Sequence, residues 1–136
     1  MELVNPMSTD VVDDIERTAR EALGLAELRP GLREAIASVL EGRDTLVVMP
    51  TGAGKSAIYQ TAGVLLQGLT IIVSPLIALQ QDQVAALAAG NAGRAELLNS
   101  TLSRAERETT LRDLAAGQIR FLFLAPEQLA CEETLA

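Results

Sequence analysis

Met49-Pro50-Thr51-Gly52-Ala53-Gly54-Lys55-Ser56 is the stretch on which the reading of this chain turns. It follows the short apolar run Thr45–Met49, which reads as a buried strand, and precedes a helical pattern over Lys55–Leu66. Gly52 and Gly54 permit backbone angles and a close approach that a β-carbon would block. The turned amides then face inward around an anion at the positive end of the following helix. Lys55, the chain's single lysine, supplies a mobile positive charge for β and γ phosphates, and the Ser56 hydroxyl suits a place on Mg²⁺. The strict form of this loop begins with glycine, where this chain has Met49, so the loop is a variant. The alternative is a tight strand-to-helix turn with a chance Gly-Lys-Ser. The buried run before it and the helix after it weigh against that.

Outward from the loop, three more strand-like runs follow: Thr70–Val73, Ala95–Leu98 and Ile119–Leu124. All four runs are nearly unbroken apolar stretches, the pattern of strands covered on both faces. Helical patterns fill the gaps at Lys55–Leu66, Leu76–Ala89 and Arg104–Ala116, and Glu127–Ala136 begins another. This alternation predicts an α/β fold of right-handed β-α-β units with a parallel sheet. Upstream, residues 10–23 carry Val11, Ile15, Ala19 and Ala22 on one helical face, ending at Gly24, and a second helix is expected from Pro30 to Leu40. In such sheets ligands bind beyond the carboxyl ends of the strands. The polar punctuation falls there: Pro50–Ser56, Ser74-Pro75, Asn99-Ser100-Thr101 and Ala125-Pro126-Glu127. Ser74 with Pro75 also reads as a helix cap, and Ser103 with Glu106 as a capping box.

The 136 residues suit one domain or a piece of one, and 49% are apolar, enough for an aliphatic core. With no histidine there is no Ser-His-Asp triad and no histidine-ligated zinc. A lone Cys131 excludes an internal disulfide and fits a reducing cytosol. No apolar run approaches the roughly 18 residues of a membrane span, and the first residues are acidic where a secretory signal is basic. A soluble, cytoplasmic protein is expected. The net charge is −7, most of it in residues 1–27, and no basic run favours strong nonspecific nucleic-acid binding.

The segments Leu28-Arg29-Pro30-Gly31, Gly42-Arg43-Asp44, Val47–Ser56 with Tyr59-Gln60, Val73–Ala78 with Asp82-Gln83-Val84, Asn99-Ser100-Thr101 and Gly117–Leu129 occur in one order. In that order the chain resembles the RecQ-like ATP-dependent DNA helicases of superfamily 2, over about residues 23–136. The resemblance implies an incomplete RecA-like P-loop domain, a parallel β-sheet flanked by helices on both faces. Residues 28–136 would form the N-terminal part of that ATP-binding domain, stopping before the family's Asp-Glu-x-His segment, and residues 1–27 an acidic helical segment. The resemblance further implies ATP and Mg²⁺ as cofactors, held by Pro50, Thr51, Gly52, Ala53, Gly54, Lys55 and Ser56 with Arg29 nearby. Lys55 is then the catalytic group and Ser56 the metal ligand. Ser74, Pro75, Leu76, Asn99, Ser100 and Thr101 would touch the backbone of single-stranded DNA, weakly.

The departures bear on function. Leu32 stands where the family has a glutamine that reads adenine, and Leu25 where an aromatic side chain stacks on it. Gln128 stands where the family has arginine. No Asp-Glu-x-His segment and no second lobe with its arginine finger are present. An arginine finger is worth about 10³–10⁵ in rate, so hydrolysis is expected to be slight and unwinding by this chain alone is not expected. The partners implied are single-stranded DNA, the remainder of such a helicase, or a second copy through an exposed sheet edge. A non-catalytic binding remnant is the competing reading. A small-molecule kinase would need an acceptor site and a lid arginine cluster, and the sequence offers neither.

Overall fold

The computed structural model describes residues 9–50, 52 and 54–130. The chain divides into two compact units, residues 1–66 and 67–136.

In the first unit, α1 (Thr9–Leu23), α2 (Leu32–Leu40) and α3 (Ser56–Leu65) pack on one another. The apolar face read from the sequence of α1 is the one that packs: Ile15, Ala19 and Ala22 are buried, whereas Val11, at its first turn, stays exposed. Ile15 and Ala19 join Leu28, Leu32, Ile36, Ala57, Ile58 and Ala62 in a single core, with Leu25, Val39 and Leu40 at its margin. The second helix begins two residues later than Pro30 suggests. Gly31 takes φ +89°, a left-handed conformation that a helix cannot continue through, so α2 starts at Leu32.

The run Thr45–Met49 corrects an expectation. It joins no sheet among the described residues. Its side chains still alternate as a strand's do: Val47 and Met49 pack on the core, while Leu46 and Val48 are 90% and 88% exposed. The expectation of burial on both faces therefore fails here, and it fails for Thr70–Val73 too, where Ile71 and Val73 are 53% and 48% exposed.

In the second unit, β1 (Thr70–Val73), β2 (Ala95–Leu98) and β3 (Phe121–Leu124) form a parallel sheet in the order β1-β3-β2. β3 lies in the middle, with Phe121 level with both Thr70 and Ala95 and Leu124 level with both Val73 and Leu98. All four β3 residues are buried, as their unbroken apolar run predicts. α4 (Ile77–Ala89) links β1 to β2, and α5 (Arg104–Ala115) links β2 back to β3. The two connections run in opposite directions across the sheet, so right-handed crossovers place the two helices on opposite faces. Leu111 and Leu114 of α5 accordingly pack on Leu98, Leu122 and Leu124. The α/β fold class, with a parallel sheet flanked by helices, matches the sequence expectation.

The capping box at α5 is present as read. Ser103 Oγ accepts from Glu106 N at 3.2 Å, and the Glu106 carboxylate accepts from Ser103 N at 2.8 Å. These bonds hold the Glu106 carboxyl below the usual glutamate range. The expected final helix is a 3₁₀ turn, Pro126–Ala130; residues 131–136 lie outside the described residues.

Candidate nucleotide loop and strand-end edge

The loop lies wholly in the first unit. Gly52 and Gly54 take φ +83° and +82°, the left-handed conformation that the sequence assigned to them. Lys55 is already helical in its backbone (φ −56°), and α3 begins at Ser56. Ala57 N donates to Gly54 O, and Ile58 N to Lys55 O, each at 3.0 Å, closing the first turn directly behind the glycines. The N-terminus of α3, the positive end of the helix, therefore adjoins the loop. Lys55 is exposed, and its Nζ donates to Met49 O across the loop at 2.8 Å. That carbonyl satisfies the ammonium in the way a phosphate oxygen would. Ser56 is half-buried and Pro50 exposed; Thr51 and Ala53 lie outside the described residues.

The donor set fits a phosphate chain: a turned backbone, a helix start and one mobile cation. For Mg²⁺ it offers, among the described residues, the Ser56 hydroxyl. Among the described residues no group of three or more acidic or cysteine side chains could hold a metal. Arg29 is exposed in the turn that opens α2. That turn is tied to the loop's first residue, since a β-carbon built on Gly31 would stand 2.7 Å from Met49 Cε. The hydrogen-bonding glutamine of the resemblance is here Leu32, 2% exposed and part of the core. Leu25 packs at the margin of the same core and lines a cleft of about 280 Å³ with Ala19, Leu28, Glu16, Arg20 and Arg33. Arg33 donates to Glu16 there, while its buried Nε has no partner.

The second set of candidate residues lies in the second unit, at the carboxyl end of its sheet. Ser74 follows β1, and Asn99-Ser100-Thr101 follows β2. Pro75, Leu76, Ser100 and Thr101 are exposed and Ser74 is half-buried. The Ser74 hydroxyl accepts from Leu76 N at 3.3 Å, but the helix starts only at Ile77, so Ser74 shapes the turn before α4 and does not cap α4 itself. Asn99 differs from its neighbours. It is 2% exposed, and its Oδ1 accepts from the Thr101 amide at 2.9 Å and from the Thr101 hydroxyl at 2.5 Å. Asn99 shapes the turn, while Ser100 and Thr101 present it to solvent.

Two residues here escaped the sequence reading. Gln80 of α4, 1% exposed, donates its Nε2 to Ser74 O at 2.8 Å and to Leu124 O at 2.9 Å, and its Oε1 accepts from Asn99 Nδ2 at 3.3 Å. The available signal was a polar residue on the helical stripe that carries Leu87. The other is Arg107 of α5, which donates to the buried Gln128 in the turn after β3. Gln128 takes the place of the family's arginine, and a guanidinium reaches the same turn from α5 instead. Elsewhere in this unit, Arg94 is paired with Glu96 and Asp113, and Arg104 with Glu108.

The DEAD/DEAH box helicase model matches residues 29–133. The chain is 41% identical over 115 residues to the probable ATP-dependent DNA helicase RecS of Bacillus subtilis, covering 85% of this chain and 23% of that protein. It is 43% identical over 118 residues to the ATP-dependent DNA helicase RecQ of Synechocystis, covering 87% of this chain and 24% of the relative. With the RecQ helicase of Haemophilus influenzae the identity is 39% over 110 residues, covering 81% of this chain and 18% of the relative. The chain thus spans about a quarter or less of the length of these relatives. No helix among the described residues is long and apolar enough to cross a membrane.

Proposed function

The chain belongs to the DEAD/DEAH box helicases, in their RecQ-like group, and from that premise we propose that it binds Mg-ATP through Gly52–Ser56 and single-stranded DNA at the strand ends of its second unit. One observation carries this reading: two left-handed glycines directly before a helix start set exposed Lys55 at a turn suited to binding an anion. Lys55 exchanges its bond to Met49 O for bonds to the β and γ phosphates, and the loop amides bind the remaining oxygens. The Ser56 hydroxyl would hold Mg²⁺, which supplies charge neutralisation between the phosphates. Arg29, exposed two residues before Gly31, would contribute a second positive charge. Pro50, Thr51 and Ala53 complete the loop backbone.

DNA contact is assigned to Ser74, Pro75, Leu76, Ser100 and Thr101, with Asn99 holding the turn. Hydroxyls and free amides can take phosphate oxygens without net positive charge, which supports weak and sequence-independent binding. Unwinding belongs to the longer proteins of which this stretch covers about a quarter or less. The free side of β1 and exposed Leu46 and Val48 support association with a second copy or with the remainder of such a helicase. A cytoplasmic location agrees with the single cysteine. A second reading, a binding module without turnover, is favoured by Leu25 and Leu32 lying in apolar packing where base recognition would fall. Equilibrium titration with Mg-ATP, and separately with a labelled single strand, tests the first reading. Saturable binding of both, with hydrolysis slight, supports it, and no binding of nucleotide by the folded chain supports the second.

A further inference from the structure

We infer that Gln80 is a positioning residue that fixes the Ser74–Leu76 turn and the Asn99–Thr101 turn as one rigid platform for a single strand of DNA, an inference that rests on the DNA reading above. The three strands end at Val73, Leu98 and Leu124, and this one side chain reaches the residue at or after each end. It donates to Ser74 O beyond β1 and to Leu124 O of β3, and it accepts from Asn99 beyond β2. Asn99 passes the restraint on, because its other amide atom receives both donors of Thr101. The side chain of Gln80 thereby satisfies every polar atom that it buries, apart from surplus acceptor capacity, and a connected buried network of this kind permits one arrangement of its members.

The consequence is a matter of effective concentration. Each exposed turn offers hydroxyls and amides, a weak handle for a phosphate. Two weak handles at a fixed separation bind one strand far better than either alone, provided that the strand spans both and the separation does not fluctuate. A freely moving pair forfeits part of that gain as ordering entropy.

The test compares the full chain with its Gln80→Met variant, which keeps the length and helix preference of the side chain while removing its amide. Two readouts are taken: binding of a short and a longer labelled oligothymidylate, one able to reach one turn and one able to reach both, and amide hydrogen exchange residue by residue. The native chain is expected to gain about tenfold in affinity from the short to the longer strand. In Gln80→Met that gain disappears while short-strand binding is kept, and the Ser74 and Thr101 amides exchange about tenfold faster with α5 unchanged. An unchanged length gain with unchanged exchange at both turns overturns the inference. Faster exchange at both turns with no binding of either strand by either protein supports the coupling and overturns the DNA reading instead. If Gln80→Met does not fold, Gln80→Asn, which keeps the amide but shortens its reach, enters the same comparison with the same two outcomes.

Discussion

Leu32 lies directly against Gly54: a β-carbon built on that glycine would stand 3.6 Å from Leu32 Cδ1. The side chain at the position of the family's base-reading glutamine therefore supports the proposed phosphate loop from within the core. A phosphate loop can keep its shape on such a support while losing the means to tell one base from another, because phosphate contacts carry no base information. Mg-ATP and Mg-GTP are accordingly expected to bind with affinities equal within a few-fold, measured by calorimetric titration. Leu32→Gln would place an amide among Ile36, Ala57 and Ile58, and is expected to cost about 2 kcal/mol or more of stability without creating a preference for ATP. A stable Leu32→Gln protein that prefers ATP would show that this side chain faces the base.

The start of α5 depends on a reciprocal pair. Ser103→Ala removes the hydroxyl that accepts from Glu106 N and is expected to lower stability by about 1 kcal/mol, read as a fall in denaturation midpoint. The Glu106 carboxyl titrates below its ordinary value in the folded chain, so its contribution is present above the ordinary glutamate range. It fades as the pH falls through the lowered value, and Glu106→Gln should remove that part of the acid dependence. Identical acid profiles for the two proteins would contradict the assignment.

Tyr59 is the chain's single tyrosine, and burial pushes its phenol up to about 12. In the unfolded chain it ionises near 10.0, so the folded state binds its proton more tightly. Stability from this group is complete below the unfolded value and is lost as the pH rises through the folded one. A phenolate absorbance titration should therefore show one late transition in the native chain and an earlier one in denaturant. Coincident transitions would place Tyr59 in solvent.

Leu46 and Val48 together expose nearly all of their side-chain surface on one side of the Thr45–Met49 run. Replacing both by threonine puts β-branched, strand-compatible residues there while reducing apolar exposure. The elution volume of the native chain is expected to fall with concentration, and the double variant to show less of that dependence at an unchanged melting temperature. Equal association by both proteins would place the contact elsewhere.

The sequence carried the local devices well and the lateral ones poorly. Ser103 and Glu106 are three residues apart, so their capping box is complete within one helical turn and is legible before any fold exists. The left-handed glycines of the loop are legible for the same reason. Thr70–Val73 and Ala95–Leu98 were read with their boundaries, and the inner run was shortened only from Ile119 to Phe121. Thr45–Met49 has the same composition but no ladder partner among the described residues, and an apolar run does not encode which strand lies beside it. Gln80 failed to stand out because its three partners come from positions 74, 99 and 124, which only the folded sheet brings together. Asn99 was read as a surface contact for a related reason: its turn role is local, but its burial is tertiary.

The most direct test of the account is calorimetric titration of the intact chain with Mg-ATP beside Lys55→Ala. Lys55 is exposed and donates to the Met49 carbonyl, so its loss should leave the stability of the chain within about 0.5 kcal/mol of the native value. The account predicts saturable binding by the native chain and binding weakened at least about a hundredfold in the variant, the loss of a charge-assisted contact to phosphate worth roughly 3 kcal/mol. Absence of binding by the folded native chain, or equal binding by both proteins, would contradict it.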